Sequence, residues 1–224
     1  MESIAILTGG DSAEHNISLL SARTVFKHLT IKKYNCTIIH FKKGEYTVDD
    51  KKINTSDFSY IKDGTKIKFD KIFIALHGSP AEDGLIQDYF DNINLPYTSC
   101  NANVSALTFD KFECNNALQK LGFRCAKSIL INADKKILEN EIIDQVRLPC
   151  FVKPNGSGSS YGISKVTNSI NLSQAIRDAF SYDSKVIIES FINGIEVSCG
   201  VYYDGNKISP LPITEIISEN DFFD

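Results

Sequence analysis

The stretch from Phe151 to Val166 reads Phe-Val-Lys-Pro-Asn-Gly-Ser-Gly-Ser-Ser-Tyr-Gly-Ile-Ser-Lys-Val and restricts the possible folds more than any other segment. An apolar run carrying one lysine, Lys153, enters a loop. From Asn155 to Ser164 that loop holds three glycines and four serines. A second apolar run, Ile163 to Val166, leaves it, so the spacing predicts strand, loop, strand. Glycines let a backbone turn N–H groups toward an anion without a Cβ in the way. Serines add hydroxyl donors, and Lys153 fixes a positive charge at the base. The pattern suits a phosphate group. It is not a Walker loop, because no Gly-Lys-Ser/Thr follows and both flanks read as strands. A flexible hairpin tip is the competing reading.

A chain of 224 residues holds one large domain or two modest ones. Its 42% hydrophobic and 23% charged content is that of an ordinary soluble globular protein. The net charge of −4 argues against a large basic surface, so nucleic acid is not an expected partner. The opening apolar run is too short for a signal sequence or a membrane span and has no basic residues before it. No membrane association is expected. The six cysteines form no Cys-x-x-Cys pair and read as reduced thiols of a cytoplasmic protein rather than zinc ligands. Cys150 and Cys199 fall in apolar runs, where a thiol behaves as a small hydrophobe.

The first hundred residues alternate strand and helix. Strands are expected at Ser3–Leu7, Asn35–Phe41 and Lys71–Leu76, with a short extended piece at Pro96–Thr98. A helix after the first strand would turn Ile17, Leu20, Val25 and Leu29 inward, and another runs from about Leu85 to Asn92. This order implies right-handed crossovers and a parallel sheet. Residues 44–70 look like hairpins or surface excursions.

Beyond residue 100 the pattern becomes α+β with antiparallel pairs. Helices are expected at Asn103–Thr108, Asp110–Leu121 and Lys135–Val146. A further helix to Phe180 would start from a capping box of Asn171 and Gln174. Strands are expected at Ala126–Ile131, Lys185–Glu189, Glu196–Tyr203 and Lys207–Leu211, with Asp204-Gly205 as a hairpin turn. The final run, Glu215 to Asp224, has no cap or closing element and reads as C-terminally incomplete.

Four further groups carry candidate chemistry. Gly9-Gly10-Asp11-Ser12-Ala13-Glu14 leaves the first strand at its C-terminal end, where open α/β sheets bind ligands. Glu14 either complements the helix dipole or anchors a substrate ammonium. His77, in Ala-Leu-His-Gly with Glu82-Asp83-Gly84 after it, sits at a second strand end and reads as structural or functional. Lys111, after Asp110, opens a helix, where a lysine is normally solvated. Glu189 closes an apolar strand and Glu196 follows across Gly194. An acid beside apolar residues suits an adenine amino group or ribose hydroxyls. The plain alternative is two exposed edge-strand acids.

Taken in order, these motifs resemble the D-alanine–D-alanine ligases of the ATP-grasp superfamily. The resemblance rests on Gly-Gly-x-Ser-Ala-Glu-x-x-Ile-Ser, Ala-Leu-His-Gly with Glu-Asp-Gly, Leu-Pro-Tyr-Thr, Asp-Lys at 110–111, Val-Lys-Pro with Gly-Ser-Ser-x-Gly-Ile-Ser-Lys-Val, and Glu189 to Glu196. It implies an N-terminal parallel-sheet, Rossmann-like substrate domain over 1–99. A central ATP-grasp subdomain over 100–189 and the start of a C-terminal subdomain over 190–224 would follow. The implied activity is ATP-dependent joining of two D-alanines through a D-alanyl phosphate, for peptidoglycan precursors. D-alanine–D-lactate and D-alanine–D-serine ligases, or an inactive nucleotide-binding fragment, are the alternatives.

Residue by residue, the resemblance implies that Glu14 holds the first D-alanine's ammonium and that His77 lies near its carboxylate. Ser159 would link Glu14 to a tyrosine of a closing loop. Lys111 and Lys153 would neutralise ATP phosphates beneath a lid that includes Gly158, Ser159 and Ser160. Glu189, Phe191 and Ile192 would receive adenine, and Glu196 the ribose. Magnesium ligands are expected beyond Asp224, and the family is commonly dimeric. Tyr161 departs from the small aliphatic residue usual at its position.

Overall fold

Ile4, Ala5, Ile6 and Leu7 are apolar on both faces of any strand they form, so that strand must be central. The computed structural model, which describes residues 1–31, 34–134 and 139–217, places it so. Strand β1 (Ser3–Gly9) lies between β2 (Asn35–Lys42) and β7 (Lys71–Ile74), parallel to both. Two short hairpins intervene, β3 (Glu45–Val48) with β4 (Lys51–Lys52) and β5 (Tyr60–Lys62) with β6 (Thr65–Ile67). The sheet order is β4-β3-β2-β1-β7. The expected parallel sheet is therefore present, with antiparallel strands at one edge. Pro96–Thr98 extends along β7 through a parallel bridge between Ile72 and Tyr97.

Helix α1 (His15–Ile31) corrects the expected phase. Ile17 and Leu20 are 49% and 58% exposed. The inward stripe is Ser18 and Ala22, both buried, with Val25 and Leu29 partly buried, at the i, i+4, i+7, i+11 spacing of one helix face. A serine in that stripe hid it from a hydrophobicity count.

Residues 44–70 do form hairpins, but they are not a surface excursion. Tyr46, Val48, Ile53, Phe58, Tyr60 and Phe69 are buried in the main core of this unit. Phe58 meets Phe90 edge-on at 5.1 Å and Tyr46 at 5.3 Å. Full burial of such a ring contributes about 1.5–3 kcal/mol. Helix α2 (Leu85–Asn92) supplies Ile86 and Phe90 to the same core. Helices α3 (Ala102–Phe109) and α4 (Lys111–Lys120) follow, and Gly122 takes a left-handed turn after the second.

The chain divides into two compact units, Met1–Cys114 and Asn115–Asp224. The second is built on β8 (Ser128–Asn132), β9 (Cys150–Pro154), β10 (Ser164–Val166) and β11 (Lys185–Ser190), all antiparallel, in the order β10-β9-β11-β8. Helices α5 (Glu139–Val146) and α6 (Leu172–Phe180) contribute Ile142, Val146, Leu172 and Ala179 to a core shared with Val152, Val186 and Ile188. Side chains alternate along a strand, so Phe151, Lys153, Ile187 and Glu189 share the other face.

Asn171 makes no capping hydrogen bond from its side chain. Asn168 instead accepts from the N–H of Ile170 and opens a 3₁₀ turn that runs into α6. The expected capping box is therefore replaced by a cap three residues earlier. Strand β12 (Glu196–Tyr203) pairs with β13 (Ile208–Ile216) around Asp204-Gly205. Both strands are exposed, so Cys199 is not the buried hydrophobe expected, whereas Cys150 is. Residues 135–138 of the helix expected from Lys135, and the closing run 218–224, lie outside the described residues. Among the described residues no helix is long and apolar enough to cross a membrane.

Candidate functional site

The first unit gathers polar groups where β1 and β7 end. His77 follows β7, and its backbone N–H donates to Ser18 Oγ at 2.9 Å. Its Nε2 lies 2.9 Å from Ser21 Oγ, one turn further along α1. Nδ1 stands 3.8 Å from Glu82 Oε1. Ser12 Oγ donates to the His77 carbonyl at 3.3 Å and accepts from the Glu14 N–H at 3.2 Å. Three serines thus tie the start of α1 to the strand end that carries the imidazole.

Glu14 is buried, at 7% exposure, beside Gly78. A Cβ at position 78 would stand 3.1 Å from Glu14 Oε2 and 2.8 Å from Ser12 Oγ, and φ is +74° there. Glycine is therefore required on two counts. Burial pushes the Glu82 carboxyl above its ordinary range, and the Glu14 charge adds to the rise. The Gly78 backbone and His77 oppose it. Ser21, His77, Leu76, Glu82 and Ser99 line a cavity of about 330 Å³. A second, of about 240 Å³, shares Glu82 and Ser99 and is also lined by Gln87, whose Oε1 has no hydrogen-bond partner.

This cluster can accept an ammonium at two acids and hold an imidazole in a fixed orientation. Glu14 and His77 were expected. Ser12, Ser18 and Glu82 lay within the motif groups but had no role assigned to them, and Ser21 lay outside those groups. The signal for Ser21, and a second one for Ser18, is a serine inside a helix, a poor choice there unless it has a partner.

The second unit holds the other cluster. Lys153 Nζ donates to Glu189 Oε2 at 2.7 Å, and Asn115 Nδ2 donates to Oε1 at 2.7 Å. Glu189 is 8% exposed. Lys153 also lies 5.3 Å from the centroid of Phe151. Phe191 packs on Phe151 at 6.1 Å and carries Lys165 over its ring at 5.1 Å. Phe151 opens the segment singled out above but had no site role assigned to it, and Asn115 lay in no motif.

The Gly/Ser loop begins where β9 ends. Asn155 is buried and its N–H donates to the Lys185 carbonyl at 2.9 Å. The Gly156 N–H donates to Asp183 Oδ2 at 2.6 Å. Ser159 and Ser160 both take left-handed conformations, φ +48° and +57°. Such backbone costs serine of order 1 kcal/mol per residue, and it clusters at ligand clamps. Tyr161 is not loose in solvent: its ring stacks on Tyr182 at 6.2 Å and 28°.

Of the expected residues, Lys153, Glu189 and Phe191 come together on one sheet face, with the loop of Gly158, Ser159 and Ser160 leaving the same strand. Ile192 is 66% exposed and Glu196 is exposed at the start of β12. Lys111 opens α4 in the first unit. Among the described residues no group of three or more His, Cys, Asp or Glu could hold a metal ion.

Comparison with known proteins matches residues 3–100 to the family described as D-ala D-ala ligase N-terminus and 118–224 to the D-ala D-ala ligase C-terminus. The D-alanine–D-alanine ligase of Flavobacterium johnsoniae is 47% identical over 100% of this chain and 71% of its own length. That of Azobacteroides pseudotrichonymphae is 46% identical over the same shares. Among solved structures, a D-Ala:D-Ser ligase from Enterococcus faecalis superposes with a TM-score of 0.85 at 30% identity, over 99% of this chain and 71% of that one. A Bacillus anthracis D-alanine–D-alanine ligase complexed with ATP gives 0.78 at 26%, over 100% and 68%.

Proposed function

The chain belongs to the D-alanine–D-alanine ligase family, and on that premise we propose that it joins two D-alanines at the expense of ATP. A carboxylate is a poor electrophile because it has no leaving group. Transfer of the γ-phosphoryl group to the first D-alanine gives an acyl phosphate. The amine of the second D-alanine attacks its carbonyl, and phosphate departs as the amide bond forms. Charge builds on the phosphoryl group in the first step, so fixed cations and aimed N–H groups lower its barrier.

In this reading Glu14 accepts the first D-alanine's ammonium, and His77, held by Ser21 and Ser18, faces its carboxylate. Glu82 keeps the imidazole oriented. Lys153 and Lys111 attract the ATP phosphates, while Gly158, Ser159 and Ser160 supply N–H and hydroxyl donors. Glu189 accepts from the adenine amino group, Phe191 and Ile192 bound the base, and Glu196 accepts from the ribose.

Magnesium is the usual companion of ATP phosphates. The described residues hold no acid cluster that fits it, so no step is assigned to it through this chain. The reading extends to a homodimer in the cytoplasm, a placement supported by six cysteines that are all free.

The observation that carries the proposal is the placement of the Gly/Ser loop directly beyond Lys153, with Glu189 paired to that lysine. A coupled ADP-release assay tests it. ADP formation should depend on D-alanine and need no second amino acid. A 30% identical D-Ala:D-Ser ligase among the structural neighbours supports the second reading. ADP release only when D-serine is added would favour that one.

A further inference from the structure

Resting on the reading of residues 156–163 as a phosphate loop, we propose that Tyr182 and Asp183 are positioning residues that latch both ends of that loop. Neither residue carries a motif. Both lie in the turn from α6 to β11, and that turn is firmly based. The N–H groups of Tyr182 and Asp183 donate to the Ala179 carbonyl at 3.1 and 3.3 Å, and Ala179 is fully buried. On the other side Lys185 opens β11, the strand that carries Glu189.

Asp183 holds the entry. Its Oδ2 accepts from the Gly156 N–H at 2.6 Å. Its Oδ1 accepts from the Lys185 N–H at 3.1 Å, so the carboxylate is itself clamped to the strand. Tyr182 holds the exit. Its ring stacks on Tyr161. It also fills the space beside Gly162, where a Cβ would stand 2.6 Å from Tyr182 Cδ2 and 2.9 Å from Pro154 Cγ. With φ at +73°, Gly162 is the residue that lets the returning chain pass under the tyrosine.

Between the latched ends lie Ser157 to Ser160, including the two left-handed serines. Such a segment reaches a single conformation only when its surroundings over-determine it. A loop that is ordered before the nucleotide arrives loses less entropy on binding. Tyr182 and Asp183 would therefore act on ATP affinity without touching ATP. Tyr161 gains its role as the stacking partner of Tyr182.

The experiment combines hydrogen exchange of the loop amides with calorimetric titration of ATP, on the full chain. Tyr182→Ala should speed exchange across 156–163 about three- to tenfold, the scale of one aromatic pair, and weaken ATP by a similar factor. Tyr182→Phe keeps the ring and should behave as wild type. Asp183→Ala should speed exchange first at Gly156, and Asp183→Asn less so. Exchange at Val186–Ile188 should not change in any variant. If wild type neither binds ATP nor protects the loop with it, the phosphate-loop reading fails. If wild type does both but the alanine variants exchange as wild type, the latch alone is wrong. A parallel rise at Val186–Ile188 would also overturn it, because the pair would then be merely structural.

Discussion

The Lys153 ammonium and the Glu189 carboxylate meet at 2.7 Å on the sheet face opposite the helices, with only 25% and 11% of their side chains exposed. Asn115 takes the other carboxylate oxygen, so both oxygens of Glu189 are engaged. Glu189→Ala should remove both contacts and leave a partly buried lysine without this acid. The expected loss is about 1–3 kcal/mol in urea unfolding of the second unit, with weaker ATP binding. Glu189→Gln should recover part of the stability through Asn115. A loss below about 0.5 kcal/mol would mean that the pair behaves as an exposed ion pair.

Ser21→Ala is expected to raise the D-alanine requirement about fivefold, the scale of one hydrogen bond near 1 kcal/mol, and to leave the ATP requirement alone. The basis is the 2.9 Å contact of Ser21 Oγ with His77 Nε2. Separate titrations of the two substrates measure it. A change confined to ATP would remove His77 from the amino-acid site.

Gly78→Ala should damage the same site more severely. The new Cβ displaces Ser12 or Glu14 and forces alanine into a left-handed backbone, which alone costs about 1–2 kcal/mol. Thermal unfolding of the first unit should fall, and D-alanine binding should be lost. Full D-alanine binding by this variant would place the ammonium site away from Glu14.

Asp57 supplies a pH dependence. Hydrogen bonds from Lys66 and Ser59 hold its carboxyl at about 2, below its ordinary 3.8. A depressed folded value means that the unfolded chain binds the proton more readily. This stabilisation is complete above 3.8 and disappears as pH falls through about 2. Wild type and Asp57→Asn should therefore converge in stability across that window. Curves that stay parallel from pH 5 down to about 2 would contradict it.

Cysteine labelling should separate buried from exposed thiols. Burial pushes Cys150 up to about 11, and the thiolate is the reactive form. Iodoacetamide at pH 8 should modify Cys100 and Cys199, both exposed, and spare Cys150 until the chain is unfolded. Mass spectrometry of digested protein reads the order. Early modification of Cys150 would show that the second core opens readily.

Much of this was readable from residues because local rules and tertiary context agreed. Strand β9 alternates buried and partly buried residues, so the face that carries Lys153 follows from period two, whereas β11 is buried from Val186 through Glu189 and its pairing with Lys153 shows only in the fold. Asp204-Gly205 turned the final hairpin as its chemistry requires. The failures have physical causes. Ser18 is buried because a tertiary hydrogen bond to His77 satisfies its hydroxyl, and no hydropathy count anticipates that. Residues 44–70 look polar because lysines and aspartates surround Tyr46, Phe58 and Tyr60, yet those rings supply the core. Asp183 and Tyr182 were silent because their partners lie 27 and 21 positions away in the chain.

The aromatic cluster has an optical consequence. The chain contains nine tyrosines and no tryptophan. Tyr46 and Tyr60 are buried in the first unit, whereas Tyr161, Tyr182, Tyr202 and Tyr203 of the second are all at least 41% exposed. Fixed asymmetric surroundings give a phenol its near-ultraviolet circular dichroism, and mobile ones do not. The buried rings of the first unit therefore dominate the near-ultraviolet band, to which the second unit adds chiefly the stacked Tyr161–Tyr182 pair, so its melting curve follows mainly the first unit's packing. A single tryptophan placed in the other unit would provide a second channel free of background.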